Sequence, residues 1–201
     1  MIKKTIALAS CYALLSACSS VDSTKVFNQQ QAAILLHQGR TTQPTQQMMK
    51  VPLPDKREWK RVDMSLGTIG TPIMLIPANE TATNWNQSIR TKILPYISDK
   101  DATAHKFVRN EIFNTKSDCK IAEATILSQT DESVFYSIRM SSCNDERNQT
   151  RIGKAITGND AVYSVYYSAI TGQVSDKQIN RYSQVIKTAQ LVHDPRYGVV
   201  R

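Results

Sequence analysis

CKIAEATILSQTDESVFYSIRMSSC, running from Cys119 to Cys143, folds back on itself in one register that satisfies all of its side chains. Two arms rich in β-formers flank the polar cluster Ser128-Gln129-Thr130-Asp131-Glu132, the pattern of a hairpin. With the turn centred on Asp131, Cys119 faces Cys143, Glu123 faces Arg139, Thr125 faces Ser137 and Leu127 faces Phe135. The opposite face pairs Ala122 with Met140, Ala124 with Ile138 and Ile126 with Tyr136. A slip of one residue would move every side chain to the wrong face and part the cysteines, so sulfur, charge and apolar pairing all support the same register. The register predicts a Cys119–Cys143 disulfide. Closing a loop of that length removes unfolded-state entropy worth roughly 3.5 kcal/mol in the chain-entropy model. A metal site at these cysteines would need further Cys or His ligands, and none lies at suitable spacing.

Working outward, Gly158-Asn159-Asp160 turns a second hairpin, Arg151 to Ile156 against Val162 to Ile170, with strand character from Tyr163, Tyr166 and Tyr167. Ser175 caps a helix predicted from Asp176 to about Leu191, with Ile179, Tyr182, Val185, Ile186 and Ala189 on its apolar stripe. Upstream, a helix is predicted from Asp99 to Asn114. Ser98 is its cap, Asp99 and Asp101 lie in its first turn, and Ala104, Val108 and Ile112 form a stripe beside Phe107. Further back, Trp59 to Leu66 alternates as a strand and Gly67-Thr68-Ile69-Gly70 turns it. Thr71 to Ile76 is an apolar strand ended by Pro77, and Ile89 to Ile93 is a third strand, reached through the Asn79–Asn84 loop and Trp85. Strands in neighbouring runs with a helix between and a helix after give an α+β fold: an antiparallel β-sheet flanked by helices, in a single domain over residues 51–201. From Trp59 to Val192 this layout is similar to the PsbP-like sandwich. That resemblance implies the architecture alone and carries over no functional residues.

The N-terminus sets the compartment. Lys3 and Lys4 precede an apolar run from Ile6 to Leu15, interrupted by Ser10, which is the layout of a secretory signal and is shorter than the about 20 residues a membrane span needs. Leu15-Ser16-Ala17-Cys18 resembles the lipobox of bacterial lipoproteins. The resemblance implies a signal peptide over 1–17 and a covalent lipid on Cys18, with Ser19 favouring the outer membrane and a domain facing the periplasm or the cell surface. Cys11 leaves with the signal, so Cys119 and Cys143 are an even pair in an oxidising compartment. Residues 18–50 are rich in Gln, Ser and Thr and are expected to form a flexible tether. Its apolar island, Ala32-Ala33-Ile34-Leu35-Leu36, is expected to be a short helix that packs on the domain or meets a partner.

Chemistry-bearing motifs are sparse. Only His37, His105 and His193 are present, none paired at metal-ligand spacing, and there is no nucleophile elbow, phosphate-binding loop or dinucleotide fingerprint. A non-enzymatic protein without metal or cofactor, apart from the lipid on Cys18, is expected. The chain carries 25 Lys and Arg against 17 Asp and Glu, a formal net charge of +8. In an exported, lipid-anchored chain that balance suits an acidic protein face, anionic lipid or peptidoglycan rather than nucleic acid. Lys50, Lys56, Arg57, Lys60 and Arg61 cluster around Trp59, either as a partner-facing patch or as lysines that guard a strand edge. Trp85 is either a core anchor for its loop or an exposed aromatic at a partner surface. Two functions follow as expectations. One is a structural or protein-interaction module of an envelope assembly, such as a secretion machine. The other is a lipoprotein that holds peptidoglycan, lipid or a small hydrophobic molecule between sheet and helix.

Overall fold

The computed structural model describes residues 26–27, 34–36, 47–63, 73–96, 99–144 and 146–193. The expected signal peptide, the Cys18 lipidation site, the Gly67–Gly70 turn and Ser98 lie outside them. Eleven strands and two helices follow in chain order: β1 (Val26–Phe27), β2 (Ile34–Leu36), β3 (Gln47–Val51), β4 (Trp59–Asp63), β5 (Ile73–Pro77), β6 (Gln87–Pro95), α1 (Ala104–Asp118), β7 (Cys119–Gln129), β8 (Ser133–Cys143), β9 (Gln149–Thr157), β10 (Ala161–Ile170), α2 (Asp176–Lys187) and β11 (Gln190–His193). Eight strands form one antiparallel sheet in the order β1-β4-β5-β6-β10-β9-β8-β7, and β11-β3-β2 form a second sheet. The α+β architecture is therefore the expected one.

Strand alternation distributes the core over both faces of the large sheet. On one face Ile73, Leu75, Ile89, Ile93, Tyr163, Val165 and Tyr167 meet Tyr182, Val185 and Ile186 of α2 and Met49 and Val51 of the small sheet. Tyr182 organises this layer: it stacks on Tyr167 with centroids 4.3 Å apart and meets Trp59 edge-on at 5.9 Å. Burial holds both phenols well above the ordinary tyrosine range, so they stay protonated. On the other face Val134, Tyr136, Ile138, Met140 and Val162 are covered by Ala104, Phe107 and Val108 of α1. The Tyr136 ring lies so close over β9 that a Cβ at Gly153 would sit 2.5 Å from its Cζ, so glycine is required there.

Four expectations are corrected. The helix α1 starts at Ala104, because Thr103 rather than Ser98 is its cap, with Oγ1 accepting from Lys106 N at 3.2 Å; Asp99 and Asp101 belong to the preceding turn. Its C-terminal residue Asp118 leads directly into β7. The closing helix stops at Lys187, where Lys154 Nζ donates to the carbonyls of Lys187 (2.9 Å) and Ala189 (2.7 Å), and Gln190–His193 turns into a strand on β3. The apolar island is a strand at Ile34–Leu36, paired with β3, not a helix. Finally, Gln47–Val51 belongs to the folded unit, with Met48, Met49 and Val51 buried, so the tether expected over 18–50 is interrupted by structure.

Candidate functional site at the open edge of the sheet

The hairpin β7–β8 takes the expected register: Cys119↔Cys143, Glu123↔Arg139 and Thr125↔Ser137, with Ala122↔Met140, Ala124↔Ile138 and Ile126↔Tyr136 on the other face. Cys119 and Cys143 are joined in a disulfide. One pairing differs: the register shifts between Ile126 and Ser128, so Ser128 rather than Leu127 faces Phe135. Leu127 is the extra residue of a bulge, a device common near sheet edges.

β7 is the last strand of the sheet, and no described strand pairs with its outer side. It is eleven residues long and only Cys119 is buried. Ile121, Ile126 and Leu127 are 52 %, 43 % and 46 % exposed. Edge strands ordinarily discourage further pairing by being short, charged or covered. Among the described residues the bulge, Lys120 and Glu123 are the only such devices. Glu123 is 3.9 Å from Arg139 with both side chains exposed, a pair that contributes little.

Between this edge and α1 runs a groove of about 350 Å³, lined by His105, Val108, Arg109, Ile112, Ile126, Gln129 and Val134. Its floor is apolar and its helix wall carries positive charge. Arg109 is exposed on that wall, Lys116 follows two turns later on the same side of α1, and neither has an ion-pair partner among the described residues. The walls are held firmly. His105 Nε2 lies 2.8 Å from the Thr130 carbonyl at the hairpin tip, Ala104 N donates to Thr157 Oγ1 at 2.9 Å, and Lys92 pairs with Glu111 at 2.6 Å. The disulfide ties the strand that leaves α1 to the far end of β8.

The other residues singled out in the sequence fall elsewhere. Trp59 is fully buried against Tyr182, and Trp85 is 7 % exposed in a cluster with Met74, Ile76 and Ile170, so neither ring is a partner surface. The reason is area: each indole covers the apolar end of β5, on opposite faces of the sheet. Lys60 and Arg61 are half-buried on β4, at the side of the sheet remote from β7. His193 lies in β11 and His37 outside the described residues. Among the described residues no three His, Cys, Asp or Glu side chains gather as a metal ion would need, and no helix is long and apolar enough to cross a membrane.

The sequence signal for the groove was partial. The sequence pattern puts Ala122, Ala124 and Ile126 on one face, but the edge position of β7 depends on strand order, and no local pattern marks Arg109.

No protein-family model matches the chain, and no curated protein matches it. Among solved structures, the solution structure of cyanobacterial PsbP (CyanoP) from Synechocystis sp. PCC 6803 is similar at 13 % identity, over 90 % of this chain and 99 % of that one, with a TM-score of 0.41.

Proposed function

We propose that this protein is a non-enzymatic, lipid-anchored envelope module that accepts an extended segment of a partner protein as an added strand along β7. The observation that carries this reading is the open eleven-residue β7 beside an apolar groove. Strand addition takes its affinity from main-chain hydrogen bonds and its specificity from pockets for alternate side chains. Every second side chain of an added strand would enter the groove against Ile112 and Ile126. Arg109 on the wall, with Lys116 two turns further along the same side of α1, selects a segment in which acidic residues alternate with apolar ones. The lipobox supplies the anchor and the outer membrane its place. Because β1 begins at Val26, the seven residues after Cys18 reach at most about 25 Å, and the domain works close to the membrane.

The interaction is tested with two synthetic ten-residue peptides, valine alternating with glutamate and valine alternating with lysine, titrated by fluorescence anisotropy. The glutamate peptide binds the parent protein and the lysine peptide does not. Arg109→Glu weakens the first about tenfold and admits the second. Equal binding of both peptides to both proteins contradicts the reading. The anchor is tested separately: Cys18→Ala releases the protein from membranes, and continued sedimentation after a carbonate wash refutes it.

A further inference from the structure

The face of the large sheet that α1 covers is not closed by α1 alone. At one end it is capped by the loop 78–86 and by residues 146–148, which the Arg147 guanidinium joins by donating to the Trp85 carbonyl. Beneath these loops the sheet surface is polar. Ser88, Ser168 and Arg151 sit in register on adjacent strands β6, β10 and β9. Arg90 follows two residues along β6 from Ser88, and so faces the same side. Ser88 and Ser168 are fully buried and Arg151 is 8 % exposed. Five polar atoms of this tile have no hydrogen-bond partner among the described residues: Ser88 Oγ, Ser168 Oγ, Arg90 Nε, Arg151 Nε and Gln149 Oε1.

Charge is unbalanced in the same place. Arg90 and Arg147 lie over the Trp85 ring at 4.9 and 4.8 Å, and Arg151 lies over Tyr166 at 5.3 Å. Glu146 accepts from Arg151 and from Gln149 Nε2 at 2.9 Å, and Glu111 also bears on Arg151 electrostatically, whereas among the described residues no carboxylate pairs with Arg90 or Arg147. Glu111, the next acid, pairs with Lys92. Lys92 is also on β6, two residues beyond Arg90. A buried hydroxyl without a partner costs free energy, and natural interiors rarely leave several together. Guanidinium N–H groups are donors only, and hydroxyls donate readily, so four of these five atoms call for an acceptor and suit a negative charge, with Gln149 Oε1 the one acceptor among them. Arg147 is exposed and Arg90 and Tyr166 are half-buried.

We propose that this loop-capped end is a binding site for an oxyanion, the phosphate or carboxylate of a small molecule, held by Arg90, Arg147 and Arg151 over the hydroxyls of Ser88 and Ser168. The rigid aromatic backing of Trp85 and Tyr166 keeps the guanidinium planes in place for bidentate contact. The site is independent of strand addition: it lies at the end of the sheet bounded by the loops, whereas the groove runs along β7.

The experiment is calorimetric titration of the full chain with inorganic phosphate, and separately with acetate, at constant ionic strength. Saturable one-to-one binding is expected. Phosphate alone binding identifies a phosphate ester as the ligand, and acetate competing for the same site identifies a carboxylate. Arg90→Gln weakens binding about tenfold. Ser168→Ala keeps the proposal testable should Arg90→Gln not fold, because removing an unpartnered hydroxyl leaves the melting temperature unchanged or raised while anion binding falls several-fold. Heat that never saturates, or saturable binding that both variants leave unchanged, overturns the site. Either result leaves the peptide titration untouched.

Discussion

Two hairpins of nearly equal length sit in the same sheet and have opposite fates. In β9–β10, β10 has a strand on each side and a layer on each face, and nine of its ten residues are buried. In β7–β8, β7 has one strand neighbour among the described residues, α1 over one face, and one buried residue in eleven. Both hairpins are made of alternating β-formers, so the difference comes from their neighbours. The central hairpin stores the stability, and the edge hairpin keeps hydrogen-bonding groups and apolar side chains available for a partner.

The sharpest way to break this contrast is in the centre. Tyr167→Ala removes the ring stacked on Tyr182 and the hydroxyl that donates to Gln87 Oε1 at 3.0 Å, and costs about 3–5 kcal/mol in urea unfolding. A loss below about 1 kcal/mol would mean that β10 is not the structural centre. Next in size is the staple at the edge. Cys119→Ala with Cys143→Ala lowers stability by about 3–4 kcal/mol, and reductant lowers the parent similarly while leaving the double variant unchanged. A parent insensitive to reductant would place the stability of this edge in α1 packing rather than in the crosslink. The smallest effect is on the open strand itself: Ile121→Lys changes stability by no more than about 0.5 kcal/mol, because the side chain is half exposed and packs on no core.

The sequence made the edge hairpin readable because three unrelated requirements met in one register: paired cysteines, Glu123 opposite Arg139, and an apolar face. The bulge at Leu127 escaped it, since no glycine or proline marks the place and the shift serves the local twist. The α2 stripe at Tyr182, Val185 and Ile186 was legible from its period, but its end was not. Ala189 fits a helical stripe equally well, and only the free edge of β3 draws Gln190–His193 into a strand. β3 itself hid in glutamine-rich sequence, although Met48, Met49 and Val51 are core residues. In the sequence Trp59 stands in a basic cluster, and Trp85, between Asn84 and Asn86, suits either a core anchor or a partner surface. Burial went to the rings, and in the case of Trp85 two arginines lie over the indole. The candidate sites depend on strand order, which local patterns do not encode: β7 at an edge, and Ser88, Ser168 and Arg151 aligned across strands far apart in the chain.

The central claim is that β7 pairs with an incoming strand, and residue-resolved amide hydrogen exchange with and without the valine–glutamate peptide tests it most directly. Strand addition protects alternate amides of Lys120–Gln129, those whose N–H groups point away from β8, and leaves β10 unchanged because it is already paired with a strand on each side. Arg109→Glu reduces that protection without altering β10. Protection spread evenly along β7, or absent from it while the peptide binds, would contradict the account.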